Sequence, residues 1–299
     1  MPPLSIFNFD NMQRTQKLIW LAKLVGGAAA GLVFLGCISS LIASGPEIQA
    51  TEIDGEAAPT LIAYRNERTP TSVLIGTSMT YLLKEQYFLP MQIRNLAIPG
   101  RSILTGLQVV ASYPKLPDNI FVETNVMIWN ADGEFVQKFS YNSSPILQIE
   151  PPVRSLVSYI NSVPKAGVRF LPADETILQR PPAEYDNQIH IERGKKQWSG
   201  HNHDETILSN VASLARIVEK IESRGSKIYF FELPMASGMA ETDMSKATKA
   251  AFEQRFPESS RRLALNYQID ELRFRDHAHL DERSAMIVSH ALRDAIHRK

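Results

Sequence analysis

The run Val73-Leu74-Ile75-Gly76-Thr77-Ser78 constrains the fold more than any other stretch of the chain. It is short, apolar and β-branched, stops at a glycine and delivers a serine, which is how a buried parallel strand ends in a functional turn. Two similar runs follow. Gln92-Ile93-Arg94-Asn95-Leu96-Ala97-Ile98-Pro99-Gly100 closes in a Pro-Gly turn, and Asp118-Asn119-Ile120-Phe121-Val122-Glu123-Thr124-Asn125 ends in a polar triplet. Between the runs, Met79 to Tyr87 reads as a helix opening behind the serine, and Ser102 to Ser112 reads as an amphipathic helix. Strand, helix, strand at this rhythm predicts a parallel sheet with right-handed crossovers. Ligands of such sheets gather at the carboxyl ends of the strands. Ser78, Gly100 and Asn125 all fall at predicted carboxyl ends.

The pattern continues downstream. Asp204 to Arg224 carries one apolar stripe through Ile207, Leu208, Val211, Leu214, Ile217, Val218 and Ile221, with Gly225 ending the helix. Lys227 to Leu233 is a further buried strand, Ser245 to Phe256 a helix, Leu263 to Ile269 a short strand, and Asp281 to His297 the last helix. The expected fold is therefore α/β, a three-layer α/β/α sandwich around a parallel sheet, over residues 70–299. Residues 126–200 are broken by Pro145, Pro151, Pro152, Pro164, Pro172, Pro181 and Pro182. They read as an insertion or cap over the site, partly helical from Val153 to Val163, and as the place of substrate selection.

Ahead of this domain, residues 1–17 are polar and mixed, and 18–44 are mostly apolar with Lys23 their one charged residue. The uncharged stretch from Leu24 to Ala43 spans ~30 Å as a helix, about the thickness of a bilayer core. Arg14, Lys17 and Lys23 lie on its N-terminal side, while Glu47, Glu52, Asp54 and Glu56 follow it. That asymmetry predicts a single-pass anchor in the cytoplasmic membrane, with the N-terminus in the cytoplasm and the bulk of the chain periplasmic or extracellular. A cleaved signal peptide shares several of these marks and is the competing reading. Residues 45–69, with Gly45-Pro46, acidic residues and Pro59, read as a linker.

Lys+Arg and Asp+Glu are equal at 32 each, so no overall basic field points to nucleic acid. Cys37 is the one cysteine, which excludes intrachain disulfides and cysteine-based zinc sites.

A serine hydroxyl is a weak nucleophile near neutral pH and needs an imidazole in hydrogen-bond reach, held in turn by a carboxylate. Asp276-His277-Ala278-His279-Leu280 offers both. His277, adjacent to Asp276, has poorer geometry than His279 for this role. Each residue also has a plain structural use: serine as a helix cap, histidine in a solvated loop, asparagine in a turn. His201 and His203 lack a clear third ligand and read as a solvated helix start, so no metal is expected. No glycine-rich phosphate loop and no cofactor motif is present. Trp129, Trp198 and Tyr141 suit either sugar stacking or packing.

Together these residues resemble the SGNH (GDSL-like) hydrolase superfamily, in particular its membrane-anchored members that handle acyl groups on bacterial surface polymers, as in alginate O-acetylation or D-alanyl transfer to teichoic acids. Gly76-Thr77-Ser78 is similar to the family's first block, Gly100 to the glycine of the second, Asn125 to the asparagine of the third, and Asp276 to His279 to the final Asp-x-x-His block. Thr77 stands where the family has an acidic residue, and Glu123-Thr124-Asn125 lacks the flanking glycine and aspartate. The resemblance implies a catalytic triad of Ser78, Asp276 and His279, and an oxyanion hole of the Ser78 and Gly100 amides with the Asn125 side chain. It implies an extracytoplasmic acyl esterase or O-acyltransferase acting on a polysaccharide or wall polymer, with a multi-spanning acyltransferase as candidate acyl donor. The rival expectation is a catalytically silent, membrane-tethered scaffold or glycan-binding subunit.

Overall fold

Four short parallel strands form the centre of the domain, in the order β2-β1-β3-β4. They are β1 (Ser72–Ile75), β2 (Ile93–Asn95), β3 (Asn119–Glu123) and β4 (Lys227–Phe231). The computed structural model describes residues 19–27, 30–31, 34, 60–61, 64–65, 70–142, 175–200 and 203–299. The chain divides into two compact units: Gln49–Gln148 with Phe170–Lys299, which holds the sheet, and Met1–Ile48 with Ile149–Arg169. In the second of these, residues 19–27 are helical.

Alternation along each strand builds a core on each face of the sheet. Val73 and Ile75 of β1, Ile120 and Val122 of β3, and Ile228 and Phe230 of β4 share one apolar cluster. The in-register pairs Val73↔Ile120 and Ile120↔Ile228 put them side by side. This face is covered by α2 (Ile103–Ala111), α6 (Asp204–Glu222) and α7 (Asp243–Arg255). Leu74, Phe121 and Phe231 point the other way, onto Met79 of α1 (Ser78–Tyr81) and onto Val288 and Leu292 of α8 (Glu282–His297). The result is an α/β domain with a central parallel sheet and helices on both sides. Burying each such leucine, valine or phenylalanine is worth about 1.5–3 kcal/mol, and the strands are buried because helices cover both faces.

The helices start and stop as their ends dictate. Ser102 caps α2 by accepting from the Leu104 amide, and Asp281 caps α8 by accepting from Ser284. On α6 the residues Ile207, Val211, Leu214, Val218 and Ile221 form the buried stripe, with Asp204 and Glu205 in its first turn and Lys220 in its last, each sign matched to the helix dipole.

Two expected elements differ. The helix expected over Met79 to Tyr87 is only α1 followed by a 3₁₀ turn at Glu85–Phe88. The Asn95 side chain explains the break: its Nδ2 donates to the carbonyls of Thr80 (2.8 Å) and Leu83 (2.9 Å), the acceptors a continuing helix would use. The strand expected over Leu263 to Ile269 reduces to a single parallel bridge, Phe230↔Arg262, with the Leu263 amide on the Phe230 carbonyl. Arg262 is instead drawn sideways by Glu253 and the Phe256 carbonyl.

Within 126–200 the described residues form α3 (Gly133–Phe139), α4 (Thr176–Gln179) and α5 (Gln188–Trp198). The helix expected from Val153 to Val163 lies outside the described residues, as does most of the anchor expected over 18–44. Among the described residues no helix is long and apolar enough to cross a membrane.

Candidate active site

Ser78 follows the carboxyl end of β1, which lies between β2 and β3 where the strand order reverses. That crevice is where open α/β sheets bind ligands. Gly76 and Thr77 carry the chain out of the strand, and Thr77 caps α1 by accepting from the Met79 amide. Ser78 is thereby the first residue of α1, half-buried and not itself the cap.

His279 reaches the serine from the loop before α8. Its Nε2 lies 2.7 Å from Ser78 Oγ, and its Nδ1 lies 2.7 Å from Asp276 Oδ2. The other Asp276 oxygen accepts from the amides of Ala278 and His279, both at 2.8 Å. Burial alone would raise the Asp276 carboxyl, but the His279 ring and these two amides hold it well below the usual carboxylate range. An ionised carboxylate only accepts, so His279 Nδ1 must carry the ring proton. Nε2 of the neutral ring is then the acceptor, and the Ser78 hydroxyl donates to it. The tautomer suited to general-base chemistry follows from the network.

The three expected triad residues are thus brought together. The expected oxyanion donors are arranged less simply. Gly100 is exposed in the turn after β2 with φ +72°, a left-handed conformation that favours glycine. Asn125 is buried and clamped on Leu233: its Nδ2 donates to the Leu233 carbonyl and its Oδ1 accepts from the Leu233 amide, both at 2.8 Å. One Nδ2 hydrogen remains for another acceptor.

His277, the rival base, faces elsewhere. Its ring meets Trp198 edge-on at 5.5 Å, and Gly194 of α5 lies so close that an added Cβ would come within 2.4 Å of His277 Cγ. Its Nδ1 is 4.0 Å from Asp276, against 2.7 Å for His279. Burial lowers its pKa, with Asp276 opposing. His277 is therefore a docking point for α5, and Trp198 is buried packing. Trp129 and Tyr141 are exposed. His203 directly precedes α6, and residues 201–202 lie outside the described set. No group of three or more His, Cys, Asp or Glu among the described residues could hold a metal ion.

Three features were not read from the sequence. Glu123, at the end of β3, is fully buried and hydrogen-bonded to Thr77 and Thr80 in the nucleophile turn. Burial raises its carboxyl, opposed by those hydrogen bonds. Thr77 and Glu123 thus touch each other across 46 residues of sequence. The available signal was a charge at the end of the apolar run Ile120-Phe121-Val122. Second, Asn187 donates to the Phe274 carbonyl and Tyr185 to Asp281 at 3.4 Å, tying the segment before α5 to the loop that carries Asp276 and His279. Third, a cleft of about 440 Å³ opens here, lined by Tyr185, Asn187, Ser237 and Arg273 among others.

No protein-family model matches this chain, and no curated protein matches it.

Proposed function

We propose that the protein is an SGNH-type (GDSL-like) serine enzyme, an acyl esterase or O-acyltransferase that works outside the cytoplasm on a cell-surface polysaccharide or wall polymer. The carrying observation is the hydrogen-bonded chain Ser78–His279–Asp276 at the carboxyl end of the sheet. In this reading 18–44 is a transmembrane anchor, and a multi-spanning acyltransferase supplies the acyl group.

The chemistry is a double displacement. His279 Nε2 takes the Ser78 proton as Oγ forms a bond to the ester carbonyl carbon, whose oxygen becomes an oxyanion. The Ser78 and Gly100 amides and the free Nδ2 hydrogen of Asn125 hold that charge. The intermediate collapses to acyl-Ser78, and the departing alkoxide takes the proton from His279. An acceptor hydroxyl then loses its proton to His279 and attacks the acyl carbon, and Ser78 leaves with that proton. Water as acceptor gives hydrolysis, and a sugar hydroxyl gives transfer. Asp276 keeps Nδ1 protonated and stabilises the imidazolium throughout.

The test is labelling with a serine-directed fluorophosphonate. Stoichiometric labelling of the folded chain that disappears in Ser78→Ala supports the enzyme. Absence of labelling in folded wild-type protein overturns it and favours the silent tethered scaffold. Incubation with an acetyl donor, with and without an oligosaccharide, then separates transferase from esterase.

A further inference from the structure

Glu123 carries a carboxylate that the proposed chemistry does not use. It is 0% exposed, and its oxygens are turned onto the segment that bears the nucleophile. Oε2 accepts from the Thr77 amide at 2.8 Å and from the Thr80 hydroxyl at 2.7 Å. The Thr77 hydroxyl lies 2.9 Å from Oε1 and 3.0 Å from Oε2. That hydroxyl already accepts from the Met79 amide at 3.3 Å, so its one hydrogen goes to the carboxylate. Backbone and hydroxyl donors from both sides of Ser78 therefore converge on one buried acid.

The surroundings fit this arrangement. A Cβ on Gly76 would lie 2.2 Å from Thr80 Oγ1 and 2.7 Å from Glu123 Oε2, so the glycine leaves the room in which acid and hydroxyl meet. The acid takes the amide of Thr77, not that of Ser78, so the amide of the nucleophile is not diverted. Ser78 and Met79 are the residues between the clamped points.

We propose that Glu123 is a positioning residue for Ser78: through Thr77 and Thr80 it fixes the turn on either side of the nucleophile and holds Oγ within reach of His279 Nε2. This rests on the reading of Ser78 as the nucleophile. A shift of the reacting atom by about 1 Å costs on the order of 10²-fold in rate, so a clamp acting on geometry is read in kcat.

The experiment uses the full chain with Glu123→Gln, Thr80→Val and the double variant. For each, kcat and KM on an aryl acetate and the rate of fluorophosphonate inactivation are measured, and folding is checked by circular dichroism. Glu123→Gln should lower kcat and the inactivation rate by about 10–100-fold with KM within about twofold. Thr80→Val, which keeps the shape and removes one donor, should lower both by less. A glutamine can keep the Thr77 amide and the Thr80 hydroxyl on its one oxygen and loses the Thr77 hydroxyl, so the double variant, which removes the Thr80 donor as well, should fall at least as far as either single variant. Folded Glu123→Gln and Thr80→Val with wild-type kcat and inactivation rates overturn the proposal, as does a change confined to KM. If Glu123→Gln does not fold, Thr80→Val decides alone, and a wild-type kcat there is fatal. If wild-type protein is inert and indistinguishable from Ser78→Ala, the nucleophile reading fails and takes the positioning role with it. Labelled wild type with unimpaired variants removes the positioning role alone.

Discussion

Replacing Asp276 with asparagine tests the proposed chemistry at one atom. Oδ1 accepts from two amides, those of Ala278 and His279, while Oδ2 faces His279 Nδ1. An asparagine can keep the two amides only by placing its oxygen at the Oδ1 position. Its NH₂ group then points at Nδ1, which must become an acceptor. The neutral ring is forced to carry its proton on Nε2, facing Ser78 Oγ, and the base is lost. The loop itself survives because its amide bonds survive. In a triad of this kind the wrong tautomer lowers kcat by about 10³–10⁴, or about 4–5.5 kcal/mol of transition-state stabilisation.

The assay is aryl-acetate hydrolysis, with nitrogen NMR of the His279 ring to read the tautomer. A folded Asp276→Asn chain with activity within about tenfold of wild type refutes the reasoning. The same variant has a stability signature. Asp276 titrates lower in the folded chain than unfolded, so its stabilising effect is whole above an ordinary aspartate value of about 3.9 and is lost as pH falls through the lower folded value. Asp276→Asn should therefore lose less stability than wild type on acidification through that range.

Two further outcomes follow from close contacts. Gly76→Ala should destabilise the domain by about 1–3 kcal/mol, a fall of about 2–12 °C in melting temperature, because its Cβ collides with Thr80 and Glu123; an unchanged melting curve refutes the packing. His277→Ala should lower the melting temperature yet leave kcat within about threefold, whereas His279→Ala should lower kcat by about 10³ or more. Kinetics in the reverse order would make His277 the base.

The sheet was legible in the sequence wherever a strand was both short and uniformly apolar. Val73 to Ile75, Ile120 to Val122 and Ile228 to Phe231 needed no tertiary information, because runs this short, rich in β-branched and aromatic residues and bounded by turn residues, are too short for a helix. Ser78, Asp276 and His279 were legible because each sits against a sharp local boundary, a strand end or a helix start. What escaped depends on partners far along the chain. The Asn95 side chain ends the helix behind Ser78, and no propensity within 79–87 foretells it. Glu123 reaches back 46 residues to Thr77. His277 and His279 carry the same chemistry two positions apart; adjacency to Asp276 already told against His277, but its use as the packing partner of Gly194 and Trp198 was not visible in the sequence.

Ser78 and His279 meet across a sequence separation of 201 residues. The turn holding the alcohol depends on β1 and β3, both of which are synthesised long before the imidazole emerges. In the proposed chemistry reactivity is accordingly a late product of folding: while a ribosome is still making the middle of the chain, the alcohol has no base beside it, however well its own strand has formed.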